Sequence, residues 1–278
     1  MHPLLQLSRL DKPIGIWLLY FPAAWAIALT SAPRNLVYFL ALFLLGAVIT
    51  RAAGCIVNDL TDRRLDASVA RTSTRPLACG TVRGFTAYVF LGVLLLIALA
   101  IALSLPRTVF LLALIALPMI AAYPWMKRIT GWPQVFLGLT FNLSVLFGWV
   151  ATGTSITLPA ITLYAAAICW TIGYDTIYAV QDIEDDTRIG IRSTARTVGP
   201  RLKNFVTFCY SAMFLLFGVT GVLLHRGPVF YLALAVAAIH AHNQTQTLPP
   251  TPTHAHRIFC SNQWLGLIVL IGILLDRI

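Results

Sequence analysis

FTAYVFLGVLLLIALAIALS, residues 85–104, runs for twenty residues without a charge. At about 1.5 Å of rise per residue, a helix of that length spans about 30 Å, the thickness of a bilayer's hydrocarbon core. Working outward, the 204–224 stretch has the same character, and the chain as a whole is 58% hydrophobic with only 11% charged residues. Soluble domains carry about 25% charged residues, so a disordered chain, a secreted disulfide scaffold and an ordinary cytosolic enzyme are all excluded. Apolar runs predict spans near 15–31, 36–57, 85–104, 108–126, 135–152, 160–180, 204–224, 227–241 and 263–276. The expected fold is therefore all-α, a polytopic membrane helical bundle of about nine transmembrane helices.

Nine spans assign the connecting segments alternately to two sides. Of twenty Lys and Arg residues, Arg34, Arg107, Arg226 and Arg277 fall on one side and the remaining sixteen on the other. The positive-inside bias puts that second side, with the N-terminus, in the cytoplasm. The formal charge of +10 thus reports topology, and no nucleic-acid partner is expected; such binders keep their charge on a water-exposed face. The five cysteines are scattered, with no CxxC pair, and read as buried thiols. The first residues resemble neither a cleavable signal nor an Arg/Ser-rich transit peptide, so a bacterial inner membrane is expected.

Eight of the ten acids lie in two windows on that cytoplasmic side: Asp59, Asp62 and Asp66, then Asp175, Asp182, Glu184, Asp185 and Asp186. Asp62 and Asp66 are four residues apart, as are Asp182 and Asp186, with 120 residues between counterparts. Basic Ser/Thr stretches follow each window, RTSTRPLACGTVRG from 71 and IRSTARTVGPRLKN from 191. The pattern suggests an internal pseudo-repeat, about 1–126 and 127–241, with a ninth helix at 263–276, all in one membrane domain of 278 residues.

On a continuing helix, each pair would project two carboxylates from one face, stacked about 6 Å apart. Solvated ion pairing is the bland alternative, but it does not require matched spacing. Oxygen-only ligands with Asn58 nearby suit Mg²⁺, which takes one or two carboxylates plus substrate phosphates. Arg71, Arg75, Lys127, Arg128, Arg192 and Arg196 lie on the same side and could grip phosphate. Acids for metal and bases for phosphate together describe a diphosphate site. Tyr123, one helical turn before Lys127, would lie deeper in the membrane on the same face.

At these residues the chain resembles a known family. NDLTDRRLD at 58–66 and YAVQDIEDD at 178–186 look like the two Asp-rich motifs of UbiA-type intramembrane prenyltransferases. RLDKPIG at 9–15, TSTRPL at 72–77, YPWMK at 123–127 and IGIRST at 189–194 are most similar to the family's 4-hydroxybenzoate branch. The resemblance runs from about residue 8 to about 235. It implies a central cavity, Mg²⁺, a polyprenyl diphosphate donor, 4-hydroxybenzoate as acceptor and a role in ubiquinone biosynthesis. It further implies that Asn58, Asp62, Asp66, Asp182 and Asp186 hold metal, that Lys127 and Arg128 hold diphosphate, and that Tyr123 faces the reacting allylic carbon.

Arg63, Lys12 and Arg9 are candidates for the acceptor's carboxylate, Asn142 is expected to be interhelical glue, and 240–257, HAHNQTQTLPPTPTHAHR, departs from the family and reads as a flexible interfacial loop. A secondary transporter, which also uses repeats and intramembrane acids, is the rival from another class. Another UbiA-type enzyme with a different aromatic or quinone-precursor acceptor is the rival within the family.

Overall fold

A computed structural model describes residues 2–68, 72–188 and 190–278; among these, regular structure is helical throughout. In chain order the helices are α1 (Pro3–Leu7), α2 (Ile14–Thr30), α3 (Pro33–Thr61), α4 (Arg63–Asp66), α5 (Gly84–Ser104), α6 (Arg107–Ile129), α7 (Pro133–Phe141), α8 (Leu143–Ala151), α9 (Leu158–Ala179), α10 (Ile183–Arg188), α11 (Thr194–Val198), α12 (Leu202–Leu223), α13 (Pro228–Gln246) and α14 (Pro252–Leu275). Six helical segments among the described residues are long and apolar enough to cross a membrane: α3, α5, α7 with α8, α9 with α10, α11 with α12, and α14. Ile14–Thr30 and Arg107–Tyr123 are shorter apolar helices.

The main core lies among α2, α8, α9, α12, α13 and α14. At its centre Trp25 packs on Trp170 and Phe217 at ring-centroid distances of 5.0 and 5.1 Å. Both indoles are satisfied, Trp25 Nε1 donating to the Gly266 carbonyl at 3.0 Å and Trp170 Nε1 to Asn262 Oδ1 at 2.9 Å. That is the requirement for a polar N–H buried where water cannot reach it. Helices α2 and α8 approach closely at Gly148, where an added Cβ would come within 2.7 Å of the Ala23 carbonyl oxygen. Small residues at such crossings let backbones meet in a solvent that offers no hydrophobic drive between helices. On α5 and α6 many large apolar side chains, among them Leu96, Leu103 and Ile115, are exposed, as a lipid-facing surface requires.

A smaller apolar cluster of Leu7, Ala52, Ile56, Leu77, Val82, Ala87 and Leu94 clamps α1 and the 72–83 segment against α3 and α5. It fixes the loop that follows the first acidic motif.

Three expectations change. The fifth span breaks at Asn142, whose Nδ2 donates back to the Gly138 carbonyl and across to Thr171 Oγ1, each at 2.8 Å. Asn142 is thus the interhelical link its composition suggested. The 240–257 segment is no flexible loop: α13 continues to Gln246 and α14 starts at Pro252, capped by Thr251. Gln244 and Thr245 turn inward while most of its other polar side chains are exposed. Tyr210 Oη donates to Gln244 Oε1 at 3.0 Å, Gln244 Nε2 donates to Ser261 Oγ at 2.8 Å, and Asn262 Nδ2 donates to the Ile258 carbonyl at 3.0 Å. Finally, the five thiols are free, but only Cys55 and Cys209 are buried; Cys79 is exposed in the 72–83 loop.

Candidate functional site

The helix carrying the first motif does not continue through it. Helix α3 ends at Thr61, Asp62 occupies its C-cap with φ −97° and ψ 7°, and the short α4 resumes at Arg63. The second motif behaves alike: α9 gives way to a 3₁₀ turn at Val180–Asp182 before α10. Asp62 and Asp182 therefore each sit where the α-helix is interrupted, where the sequence suggested a continuous helix. The turn-by-turn spacing survives in the first motif, because the Asp66 amide still donates to the Asp62 carbonyl at 2.8 Å.

Asp59, Asp62 and Asp66 are buried, Asp59 at 1% and Asp62 at 2% exposure. Carboxylates so far from water must be compensated, and each is. Asp62 accepts from Lys127 Nζ at 2.5 Å and from Arg128 Nη2 at 3.1 Å. Asp66 accepts from Arg75 Nη1 at 2.7 Å, and Asp59 from Arg9 Nη2 at 2.5 Å and Arg75 Nη1 at 3.3 Å. Burial works against the Arg9 charge, but the adjacent Asp59 carboxylate, together with Cys55 and Tyr178, holds the guanidinium above its ordinary pKa.

The segment after the second motif packs on the end of α6. The Arg192 amide donates to the Lys127 carbonyl at 3.0 Å, and its guanidinium donates to the Ile129 carbonyl at 3.0 Å. Thr197 Oγ1 donates to the Gly131 carbonyl at 2.8 Å. Arg196 donates to the Asp186 and Ile191 carbonyls, which folds the chain back over the motif. Arg192, Ser193, Arg196 and Thr197 line a polar recess of about 340 Å³ beside this turn. Lys127 thus holds Asp62 with its side chain and accepts the Arg192 amide with its carbonyl, joining the first acidic motif to the segment that follows the second.

Below this junction, toward the membrane interior, Tyr123 on α6 lies within electrostatic reach of Asp62, Arg51, Asp175 and Tyr178. Asp175 interacts with Arg51 and Asp182 and is hydrogen-bonded by the Gln134 side chain, whose Oε1 accepts from the Thr194 amide at 2.9 Å. The Arg51 guanidinium lies against Gly15: a Cβ there would be 2.4 Å from Arg51 Nε, so a side chain at that position of RLDKPIG would displace the guanidinium. Arg51, Asp175 and Gln134 were not singled out from sequence. The available signal was a charge or amide inside an apolar span, which usually marks function; for Arg51 it was absorbed into the count of cytoplasmic positive charge.

The other expected site residues are placed as follows. Asn58 lies half-buried in the last turn of α3, and Asp182 and Asp186 are half-buried. Arg63 is exposed and its Nε donates to the Leu77 carbonyl at 2.9 Å, so its guanidinium is directed to the 72–83 loop. Arg9 is committed to Asp59. Arg71 lies outside the described residues.

Among the described residues, no three His, Cys, Asp or Glu side chains form a group that could hold a metal ion by themselves. The donor chemistry nevertheless fits Mg²⁺, which is hard, prefers oxygen, and completes its shell with water and substrate phosphate around one or two carboxylates. Asp62 and Asp66 draw Lys127, Arg128 and Arg75 to within 3.1 Å, marking a place where positive charge is strongly favoured.

Comparison with known proteins agrees with this architecture. The model of the UbiA prenyltransferase family matches residues 19–268. The mitochondrial 4-hydroxybenzoate polyprenyltransferase of Bos taurus is 42% identical over 285 aligned residues, covering all of this chain and 76% of that protein. Among solved structures, a UbiA homolog from Aeropyrum pernix K1 superposes with a TM-score of 0.81 at 24% identity, covering 95% of this chain and 98% of the other. A UbiA homolog from Archaeoglobus fulgidus bound to GPP and Mg²⁺ superposes with a TM-score of 0.75 at 20% identity, covering 98% and 99%.

Proposed function

This chain belongs to the UbiA prenyltransferase family, and on that premise we propose that it transfers a polyprenyl group from polyprenyl diphosphate to 4-hydroxybenzoate in ubiquinone biosynthesis. The new bond forms at the ring carbon ortho to the hydroxyl, and diphosphate is released. The observation that carries this reading is the joint held by Lys127, which brings the first acidic motif and the segment after the second to one end of α6. Full-length similarity to a 4-hydroxybenzoate polyprenyltransferase supports the choice of acceptor.

Asn58, Asp62, Asp66, Asp182 and Asp186 would hold Mg²⁺, which neutralises diphosphate and makes it a good leaving group when bound. Lys127 and Arg128, with Arg192 and, by its place in the sequence, Arg71, supply the cations that grip the phosphate oxygens. As the allylic C–O bond breaks, the Tyr123 ring stabilises the developing cation by its π-face, and the surrounding apolar helices keep water away. The acceptor ring attacks that carbon and loses its proton to a carboxylate or to the departing diphosphate. Arg51 is the cation we assign to the acceptor's carboxylate, because it lies beside Tyr123 and Asp175 inside the bundle, whereas Arg63 is turned outward.

We read the chain as a single membrane domain built on two pseudo-repeats around a central cavity, with nine crossings and the site facing the cytoplasm of a bacterial inner membrane. A secondary transporter would carry its coupling acids at mid-span; Asp62 and Asp66 instead sit beyond the end of α3, among arginines.

The test is direct. Membranes or liposomes holding the full chain, given a polyprenyl diphosphate, 4-hydroxybenzoate and Mg²⁺, should form the prenylated acid and pyrophosphate, identified by mass. EDTA should abolish turnover, and Asp62→Ala and Asp182→Ala should each cost about 10²-fold or more in kcat, the scale of removing transition-state charge stabilisation. Turnover retained by either variant would remove that residue from the metal site. Prenyl transfer to another aromatic acceptor at higher kcat/KM would reassign the substrate.

A further inference from the structure

From spacing alone, Asp59 has as strong a claim on a metal as its neighbours. It precedes Asp62 by three residues and Asp66 by seven, so a helix would present all three on one face. The structure uses it differently. One oxygen, Oδ1, takes both the Arg9 and the Arg75 guanidinium, at 2.5 and 3.3 Å, while Oδ2 is buried without a hydrogen-bond partner among the described residues. The two arginines come from distant segments, Arg9 from the turn after α1 and Arg75 from the loop after the first motif. Arg9 adopts φ 54°, a left-handed conformation that a side chain disfavours and glycine accepts. An arginine kept in that conformation is there for its side chain.

Arg75 Nη1 is shared: it also lies 2.7 Å from Asp66 Oδ2. Two carboxylates, Asp59 and Asp66, therefore balance two guanidiniums, Arg9 and Arg75. If Asp66 turns its charge to a divalent ion, Arg75 still has Asp59 to hold it in place. The Arg9–Asp59–Arg75 cluster then carries one uncompensated positive charge next to the ion. A diphosphate is the ligand that such a pairing of metal and surplus guanidinium attracts.

We propose that Asp59 is a positioning residue: it anchors Arg9 and Arg75 beside the first motif, so that metal uptake by Asp66 and diphosphate binding by the freed guanidinium reinforce each other. This rests on the transferase reading above. It assigns Asp59 no metal and no contact with substrate.

The experiment uses the full chain in detergent with two probes, Mn²⁺ alone followed by electron paramagnetic resonance, and inorganic pyrophosphate titrated with and without Mn²⁺. Asp59→Asn should leave the affinity for Mn²⁺ alone within about twofold, weaken pyrophosphate binding in the presence of Mn²⁺ about tenfold, and raise the donor's KM by a like factor with kcat little changed. Asp59→Glu, which keeps the charge, should recover most of the pyrophosphate affinity. If Asp59→Asn does not fold, Arg9→Lys and Arg75→Lys take its place, since a compact ammonium does not reproduce the reach and planar geometry of the guanidinium; each should weaken pyrophosphate and spare Mn²⁺. A tenfold loss of affinity for Mn²⁺ alone in folded Asp59→Asn would make Asp59 a ligand and overturn the proposal. So would unchanged pyrophosphate affinity in that variant, or in both lysine variants. Wild-type protein that binds no pyrophosphate with Mn²⁺ would instead sink the transferase reading on which the proposal stands.

Discussion

Arg51 shows how one charged residue acquires meaning from its neighbours. In the sequence it follows an apolar run and counts as one of sixteen cytoplasmic charges; in the structure its guanidinium crosses Gly15 and shares the electrostatic field of Asp175 and Tyr123. A charge-assisted hydrogen bond contributes about 1.5–3 kcal/mol. Arg51→Gln is therefore expected to raise the KM for 4-hydroxybenzoate about 10–100-fold while leaving the KM for the prenyl donor nearly unchanged; equal increases for both substrates would count against the assignment. Tyr123 poses a complementary question, because its hydroxyl and its ring make different contributions. If the π-face shields an allylic cation, Tyr123→Phe keeps most of kcat, while Tyr123→Ala loses about tenfold or more. Equal losses in the two variants would show that the ring itself does not matter. Asp62, Asp66, Tyr123 and Lys127 could be singled out from sequence because their spacing is one helical turn and their chemistry is unusual for a membrane. Gln134 could not, since nothing in a lone amide near a span boundary says that it will join Asp175 to the Thr194 amide.

At the level of elements, hydropathy located most helices well and their ends poorly. The 85–104 span is nearly the observed Gly84–Ser104. By contrast the polar segment 240–257 extends two helices, and its buried Gln244 finds partners on both α12 and α14. Gln244 and Asn262 join α13 and α14 to Tyr210 of α12, and Asn262 also accepts from Trp170 of α9. Asn262→Leu would leave the Trp170 indole N–H without its acceptor, at a cost of about 1–3 kcal/mol. Thermal unfolding in detergent should show a lower midpoint, and an unchanged midpoint would mean that the network contributes nothing net. The breaks at Asp62 and Asp182 were likewise invisible in the spacing, since four residues fit both a continuous helix and a helix that ends and restarts.

For the whole molecule, charge counting predicts the sign of the topology. The 72–83 loop, packed by Leu77 and Val82 against α3 and α5, carries an exposed thiol at Cys79. In a variant with the half-buried Cys169 and Cys260 changed to Ser, a membrane-impermeant maleimide should label Cys79 in inverted vesicles and leave it unlabelled in right-side-out ones; the opposite pattern would put the site on the other face. The sequence by itself determined that the chain is a helical membrane protein and that two acidic motifs repeat at matched spacing, and it predicts which side holds its acids. These are legible because a bilayer imposes length and apolarity on every crossing segment, and because insertion responds to the distribution of positive charge. Only the tertiary structure decided which cation meets which carboxylate: Lys127 and Arg128 on Asp62, Arg75 between Asp59 and Asp66, Arg192 on the α6 carbonyls. Those partners lie 9 to 66 residues apart in the chain, and helix packing brings them together. Once water is excluded, every buried charge must find its counter-charge across that packing, and no local pattern encodes the choice.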